Sequence, residues 1–192
     1  MTHPDAPPPP ALVLVDFQQD YFPGGAFPLV APEAALKAAR AVLLAFRARR
    51  WPVVHVRHLS VRPGATFFLP DTPGIAIRPE VAPDTGEPVV VKHYPNAFRD
   101  TPLDDLLRAR GAHALVLVGM MTHMCIDATA RAAFDRGYAV TVVADATATR
   151  PLTFGGTTVP ADAVQASFLA ALDGVFARVV RAADWVAALP RG

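Results

Sequence analysis

The chain has 192 residues, of which 52% are hydrophobic and 18% charged, with a formal net charge of +1, 20 prolines and a single cysteine. Low hydrophobicity with high net charge, the composition of a disordered chain, is absent. Charge dispersed near neutrality gives no footprint for nucleic acid or an anionic membrane, and one thiol cannot make an internal disulfide.

Met1 to Pro10 carry consecutive prolines, which fix φ and remove backbone donors, so a disordered or extended tail is expected there. The stretch lacks a basic region followed by an apolar one and does not resemble a secretory signal. With no apolar run long enough to span a bilayer, the expectation is a cytoplasmic protein with a reduced thiol, and one domain over residues 11–192. Ala11 to Val15 is continuously apolar and reads as a strand buried on both faces, ending at Asp16. Pro32 to Arg50 has helical spacing, with Leu36, Ala39, Leu43 and Phe46 on one face. Val53 to Val56 is a second strand. A Pro/Gly-rich section, Arg62 to Pro88, reads as a long loop of the kind that forms lids and binding walls. Val89 to Val91 is a third strand, ending at Lys92.

The alternation continues with a short helix capped by Thr101 and carrying Pro102 at its first position. A strand over Ala114 to Val118 follows, then a helix over Cys125 to Arg136 closed by Gly137, and a strand over Ala139 to Ala144. A helix over Ala161 to Leu172 and a strand over Phe176 to Val180 complete the pattern. Such alternation predicts a three-layer α/β/α sandwich around a mostly parallel, Rossmann-like sheet of about six strands.

Open parallel sheets bind ligands beyond the carboxyl ends of their strands. Asp16, Lys92 and Cys125 all fall at that edge, so three polar side chains from separate strand ends can converge. A helix start and a nearby ammonium lower a thiol pKa, and a carboxylate can take the thiol proton and return it to a leaving amine. Each residue has a plainer reading too: a buried cysteine as a small hydrophobe, an aspartate capping a turn, a lysine solvated at a strand end.

The segments LVLVDFQQDYF, VVVKHYPNAF and LVGMMTHMCIDATARAAFDRGYAVTVVADATAT resemble the three signatures of the isochorismatase-like cysteine hydrolase superfamily, which includes nicotinamidases and N-carbamoylsarcosine amidohydrolases. In order and spacing the resemblance runs from about Ala11 to Val180. It implies Cys125 as nucleophile, Asp16 as general base and then acid, and Lys92 as the third member of a triad. It also implies a cis peptide between Met120 and Met121, with the backbone N–H groups of Met121 and Cys125 forming an oxyanion hole. The implied activity is hydrolysis of an amide-like C–N bond in a small molecule through a thioester, by a homodimer or homotetramer.

Some members of the superfamily hold a metal through an aspartate and histidines after the second strand. Here that stretch reads His55-Val56-Arg57-His58-Leu59-Ser60 without the aspartate, and histidines three apart on a strand face opposite ways, so neither a metal nor another cofactor is expected. His58 is expected to line the pocket or to satisfy a loop carbonyl. The substrate-binding candidates are Phe22 after the first motif, Phe67 and Phe68 in the long loop, Tyr94 and Phe98 after Lys92, and His123 and Met124 beside Cys125. Gln18 is expected to hydrogen-bond near the Asp16 loop, while Asp20, Arg99 and Arg131 read either as surface side chains or as supports behind the site, the solvated reading being preferred. Two other readings differ in class. Vinyl ether hydrolysis of the isochorismatase type would not need Cys125, and a nucleotide-binding module would need a glycine-rich turn that Asp16-Phe17-Gln18-Gln19 does not supply.

Overall fold

Ala11–Val15 (β1) has every residue buried, because helices cover both faces of the strand. Its side chains alternate: Ala11, Val13 and Val15 enter one core, Leu12 and Leu14 the other. The computed structural model describes residues 8–189, so most of the expected Met1 to Pro10 tail lies outside the described residues.

The remaining sheet strands are Val53–His58 (β2), Val89–Lys92 (β3), Ala114–Met120 (β4), Ala139–Ala148 (β5) and Arg178–Val180 (β8). They pair in parallel in the order β3-β2-β1-β4-β5-β8. The helices are Pro32–Ala48 (α1), Leu103–Arg108 (α2), Asp127–Asp135 (α3), Ala161–Leu172 (α4) and Ala182–Ala187 (α5). Leu36, Ala39, Leu43 and Phe46 of α1 pack with Leu12, Leu14, Val116 and Val118 on one face of the sheet. Leu103, Leu107, Ala130 and Ala133 pack with Val13, Val15, Leu115 and Leu117 on the other. The fold is therefore the expected three-layer α/β sandwich, with a six-stranded parallel sheet.

Several boundaries differ from the sequence reading. The helix expected to begin at Cys125 is preceded by a π-helical turn, Thr122–Ile126, in which the Met121 carbonyl accepts from both Met124 and Ile126 N–H. Pro102, expected as the first helical residue, stands at the cap of α2, and Thr101 instead accepts from Leu103 N–H at 3.3 Å. β5 runs four residues further than expected, past a register shift opposite Leu117 and Gly119. Leu152–Phe154 (β6) and Thr157–Val159 (β7) form an antiparallel hairpin about Gly155-Gly156, and the sequence reading passed over both this pair and α5. The long loop contains two short 3₁₀ turns, Pro73–Ile75 and Pro79–Val81.

The far end of this loop is tied to α1 rather than to the crevice. Arg47 donates to both carboxylate oxygens of Glu87 at 2.9 and 2.7 Å, and His55 Nε2 lies 2.8 Å from the same group. Partial burial resists ionisation of Glu87, but Arg47, the Asp84 N–H and His55 together hold its pKa at about 2.

Candidate active site

The strand order fixes where a site can form. β1 continues to β2 on one side while β4 pairs on its other side, so the connectivity reverses between β1 and β4 and a crevice opens at their carboxyl ends. Gly119 allows the two strands to converge there: at φ +139°, it approaches the Val15 carbonyl so closely that a Cβ would collide with it. Asp16 then leaves β1 in the left-handed region, φ 55°, a conformation that aspartate tolerates better than branched residues do.

Four neighbouring strands each deliver one polar side chain. Asp16 follows β1, His58 ends β2, Lys92 ends β3 and Cys125 lies in the π-helical turn after β4. The Lys92 ammonium stands 2.7 Å from Asp16 Oδ2, 2.9 Å from His58 Nδ1 and 3.2 Å from Cys125 Sγ. Asp16 and Lys92 are 0% exposed and Cys125 is 5% exposed. The Asp16 carboxylate is thus buried against the ammonium, with the Cys125 thiol and the His58 backbone also close enough to favour its charged form. The Met120–Met121 peptide is cis.

Burial sets the protonation states. It raises the Asp16 carboxyl, against the pull of Lys92. Burial alone would lower the Lys92 ammonium, but Asp16 and Cys125 together hold it above its ordinary value. The Cys125 thiol is pushed up to about 12, chiefly by burial, which outweighs Lys92. This corrects the expectation of a lowered thiol pKa: the sulfur rests as a thiol, and its proton needs an acceptor such as Asp16. His58 is lowered to about 3 by burial, with Lys92 adding to the effect, and is neutral.

Asp16, His58 and Cys125 bring donor atoms within 4.8 Å of one another, a spacing that could hold a metal ion. The Lys92 ammonium already touches all three residues, so this donor set fits that ammonium rather than a second cation.

Above these residues lies a cavity of about 390 Å³. Phe67, Tyr94, Met124, Met121 and Cys125 line it, as do Tyr21, His58, Ser60 and Arg62. Phe22, Phe68, Phe98 and His123, expected in the pocket, are elsewhere. A 3₁₀ turn over Gln19–Tyr21 aims Tyr21 rather than Phe22 at the cavity, and Phe22 packs in the core beneath Arg78. Phe68 is fully buried behind Phe67, its N–H bound to Asp20. Phe98 packs against Tyr138 in the opposite core layer. His123 turns to Thr149 Oγ1, 2.6 Å away, and against Phe168.

Two motif residues organise the walls. Gln18 grips the His58 backbone at both ends, accepting its N–H at 2.7 Å and donating to its carbonyl at 2.9 Å. Asp20, expected to be solvated, is buried: it accepts from Ala26 N–H at 3.0 Å and Phe68 N–H at 2.6 Å, and its carboxylate fills the space a Cβ on Gly74 would need. It thereby ties three loop segments together. Arg99 stacks on Tyr94 at 3.6 Å, and Arg131 pairs with Asp127. Tyr21 and Asp20 were within reach of sequence reading, since both stand in DFQQDYF, but only the turn geometry shows which way each points.

An isochorismatase domain model matches residues 10–184. The chain is 46% identical over 169 residues to the isochorismatase family protein YddQ of Bacillus subtilis, covering 88% of this chain and 94% of that one. It is 37% identical over 149 residues to the maleamate amidohydrolase of Pseudomonas putida, covering 70% of each. The crystal structure of N-carbamoylsarcosine amidase from Thermoplasma acidophilum superposes with a TM-score of 0.77 at 28% identity, over 95% of this chain and 99% of that one.

Proposed function

Since the chain belongs to the isochorismatase family, we propose that it is a cysteine hydrolase that cleaves the C–N bond of a small amide-like substrate. The observation that carries this reading is the meeting of Asp16, Lys92 and Cys125 beneath one cavity, with Cys125 among its lining residues. The names of two similar proteins, an amidohydrolase and an amidase, agree with it.

In this mechanism the substrate carbonyl enters beside Cys125. Sγ bonds to the carbonyl carbon as the thiol proton passes to Asp16, and the oxygen takes up the displaced electron pair. The backbone N–H groups of Met121 and Cys125 bind that oxyanion; one such donor is typically worth about 2.7 to 4 kcal/mol of barrier. The tetrahedral centre collapses, the C–N bond breaks, and Asp16 returns its proton to the leaving nitrogen. A water molecule then attacks the thioester while giving its proton to Asp16, and as the C–S bond breaks Asp16 passes that proton to sulfur, restoring both the thiol and the carboxylate. Lys92 stays charged throughout and holds the carboxylate and the sulfur in position. No metal or other cofactor is required.

Wild-type protein screened against amides, ureides and cyclic imides is expected to show turnover, with a Cys125 acyl adduct visible by mass spectrometry after acid quench. Cys125→Ala is expected to lose both, and full hydrolytic activity in that variant would refute the reading. The homodimer or homotetramer is part of the same proposal, with light scattering as its measurement. Among the described residues, no helix is long and apolar enough to cross a membrane.

A further inference from the structure

His58 is fixed more firmly than a cavity wall requires. Gln18 holds its backbone at N–H and carbonyl, β3 pairs beside it with His58 in register with Lys92, and its ring packs against Phe68 at 5.7 Å. Ring Nδ1 lies 2.9 Å from the Lys92 ammonium. An ammonium has only donors, so Nδ1 must accept and the single ring proton of a neutral imidazole must sit on Nε2. Among the described residues nothing is bonded to Nε2, and the residue lines the cavity. The result is a donor of fixed tautomer and fixed orientation facing the space where substrate would lie.

Two further observations indicate what it would bind. Among the described residues the cavity lining contains no aspartate or glutamate, and Arg62 stands in it with no ion pair. A bound oxygen with negative charge would therefore meet a donor and a cation at the wall, while the nearby Asp16 carboxylate lies beneath the lining with its charge paired to Lys92.

Building on the hydrolase reading above, we propose that His58 is a specificity-determining residue whose Nε2–H binds an oxygen acceptor on the acyl part of the substrate, by preference a carboxylate. The acceptor is distinct from the scissile oxygen, which the backbone donors beside Sγ take. The substrate class is then an amide whose acyl chain ends in an acid group.

The test uses binding, so it does not depend on turnover. Cys125→Ala protein is titrated calorimetrically with succinamate and with pentanamide, an alkyl amide of similar length. Succinamate is expected to bind at least about tenfold tighter, the scale of a hydrogen bond to a charged group. In Cys125→Ala/His58→Asn the amide oxygen can still accept from Lys92 but no donor reaches the Nε2 position, and the preference is expected to fall to about threefold or less. Cys125→Ala/His58→Gln, which can extend an N–H₂ towards that position, is expected to regain part of it. A purely structural role would weaken both ligands alike and leave the ratio unchanged. Full preference surviving in the His58→Asn protein overturns the proposal, as does absence of preference in the parent. Nitrogen-15 spectra of His58 provide a check free of any ligand: the Nε2–H tautomer is expected, and a proton on Nδ1 would overturn the assignment. Failure of the hydrolase reading would show separately, as absence of a Cys125 acyl adduct in the wild-type protein.

Discussion

Replacing Lys92 by methionine would leave the Asp16 carboxylate without a partner. Both groups are 0% exposed and stand 2.7 Å apart, so the methionine keeps the volume of the lysine stem while the charge at Asp16 goes uncompensated. Removing one partner of a buried ion pair typically costs about 3 to 5 kcal/mol, a large part of a typical total of about 5 to 15 kcal/mol. With a urea slope of about 2 kcal/mol/M, the unfolding midpoint should fall by about 2 M. The pH dependence has a definite sign. Burial already raises the Asp16 carboxyl above 3.8, and the variant removes the ammonium that draws it back down. The folded variant therefore holds a proton that the unfolded chain releases above pH 3.8, and its stability falls as pH rises. Its deficit against the wild-type chain should be smallest near pH 4 and widen as pH rises through the Asp16 pKa of the folded variant. Asp16→Asn/Lys92→Met removes both charges and should recover most of the loss. Urea titrations at pH 4, 5.5, 7 and 8 measure all of this. A deficit independent of pH, with a double variant as unstable as the single one, would refute the reasoning.

The Cys125 thiol, at about 12, should alkylate slowly with iodoacetamide at neutral pH and about tenfold faster per pH unit as pH rises, without a plateau between pH 6 and 9. Asp20→Ala should leave the Ala26 and Phe68 N–H groups without their acceptor and cost about 2 to 4 kcal/mol; hydrogen exchange should quicken at both amides together. Glu87 is held down at about 2, so its stabilising effect is complete above pH 4.5 and lost as pH falls through 2. Glu87→Gln should accordingly lower stability by about 1 to 2 kcal/mol at pH 7, after allowance for solvent screening, and the difference should close between pH 4.5 and 2 in urea titrations.

The strands and their order along the chain were legible because a parallel sheet covered on both faces demands continuous apolar runs, and Ala11–Val15 and Ala114–Met120 supply them. The placement of Asp16, Lys92 and Cys125 at strand ends followed from the same pattern. What escaped depended on single-residue rotations. Tyr21 rather than Phe22, and Phe67 rather than Phe68, face the cavity because a 3₁₀ turn and a left-handed residue at Phe68 decide which neighbour turns inward. The depth of Asp20 was hidden for another reason: its partners are backbone N–H groups at Ala26 and Phe68, and a sequence gives no sign of which amides will need an acceptor. The raised thiol pKa was not legible because proximity to a lysine is visible in a motif, whereas the depth of burial that outweighs it is not. The β6–β7 hairpin did have a signal, the Gly155-Gly156 pair.

Lys92 belongs to one of the two edge strands of the sheet. β3 has four residues and pairs only with β2, and Val89 and Val91 face outward at 41% and 36% exposure. Peripheral strands of this kind detach before the centre of a domain does. When β3 frays, the ammonium leaves Asp16, Cys125 and His58 at once, while the central pairing of β1 with β4 remains intact. If the proposed hydrolase activity needs this cluster, mild heat or low denaturant should abolish it reversibly while circular dichroism still reports a folded chain. On this expectation the working range would follow the grip of one short margin rather than the melting of the whole.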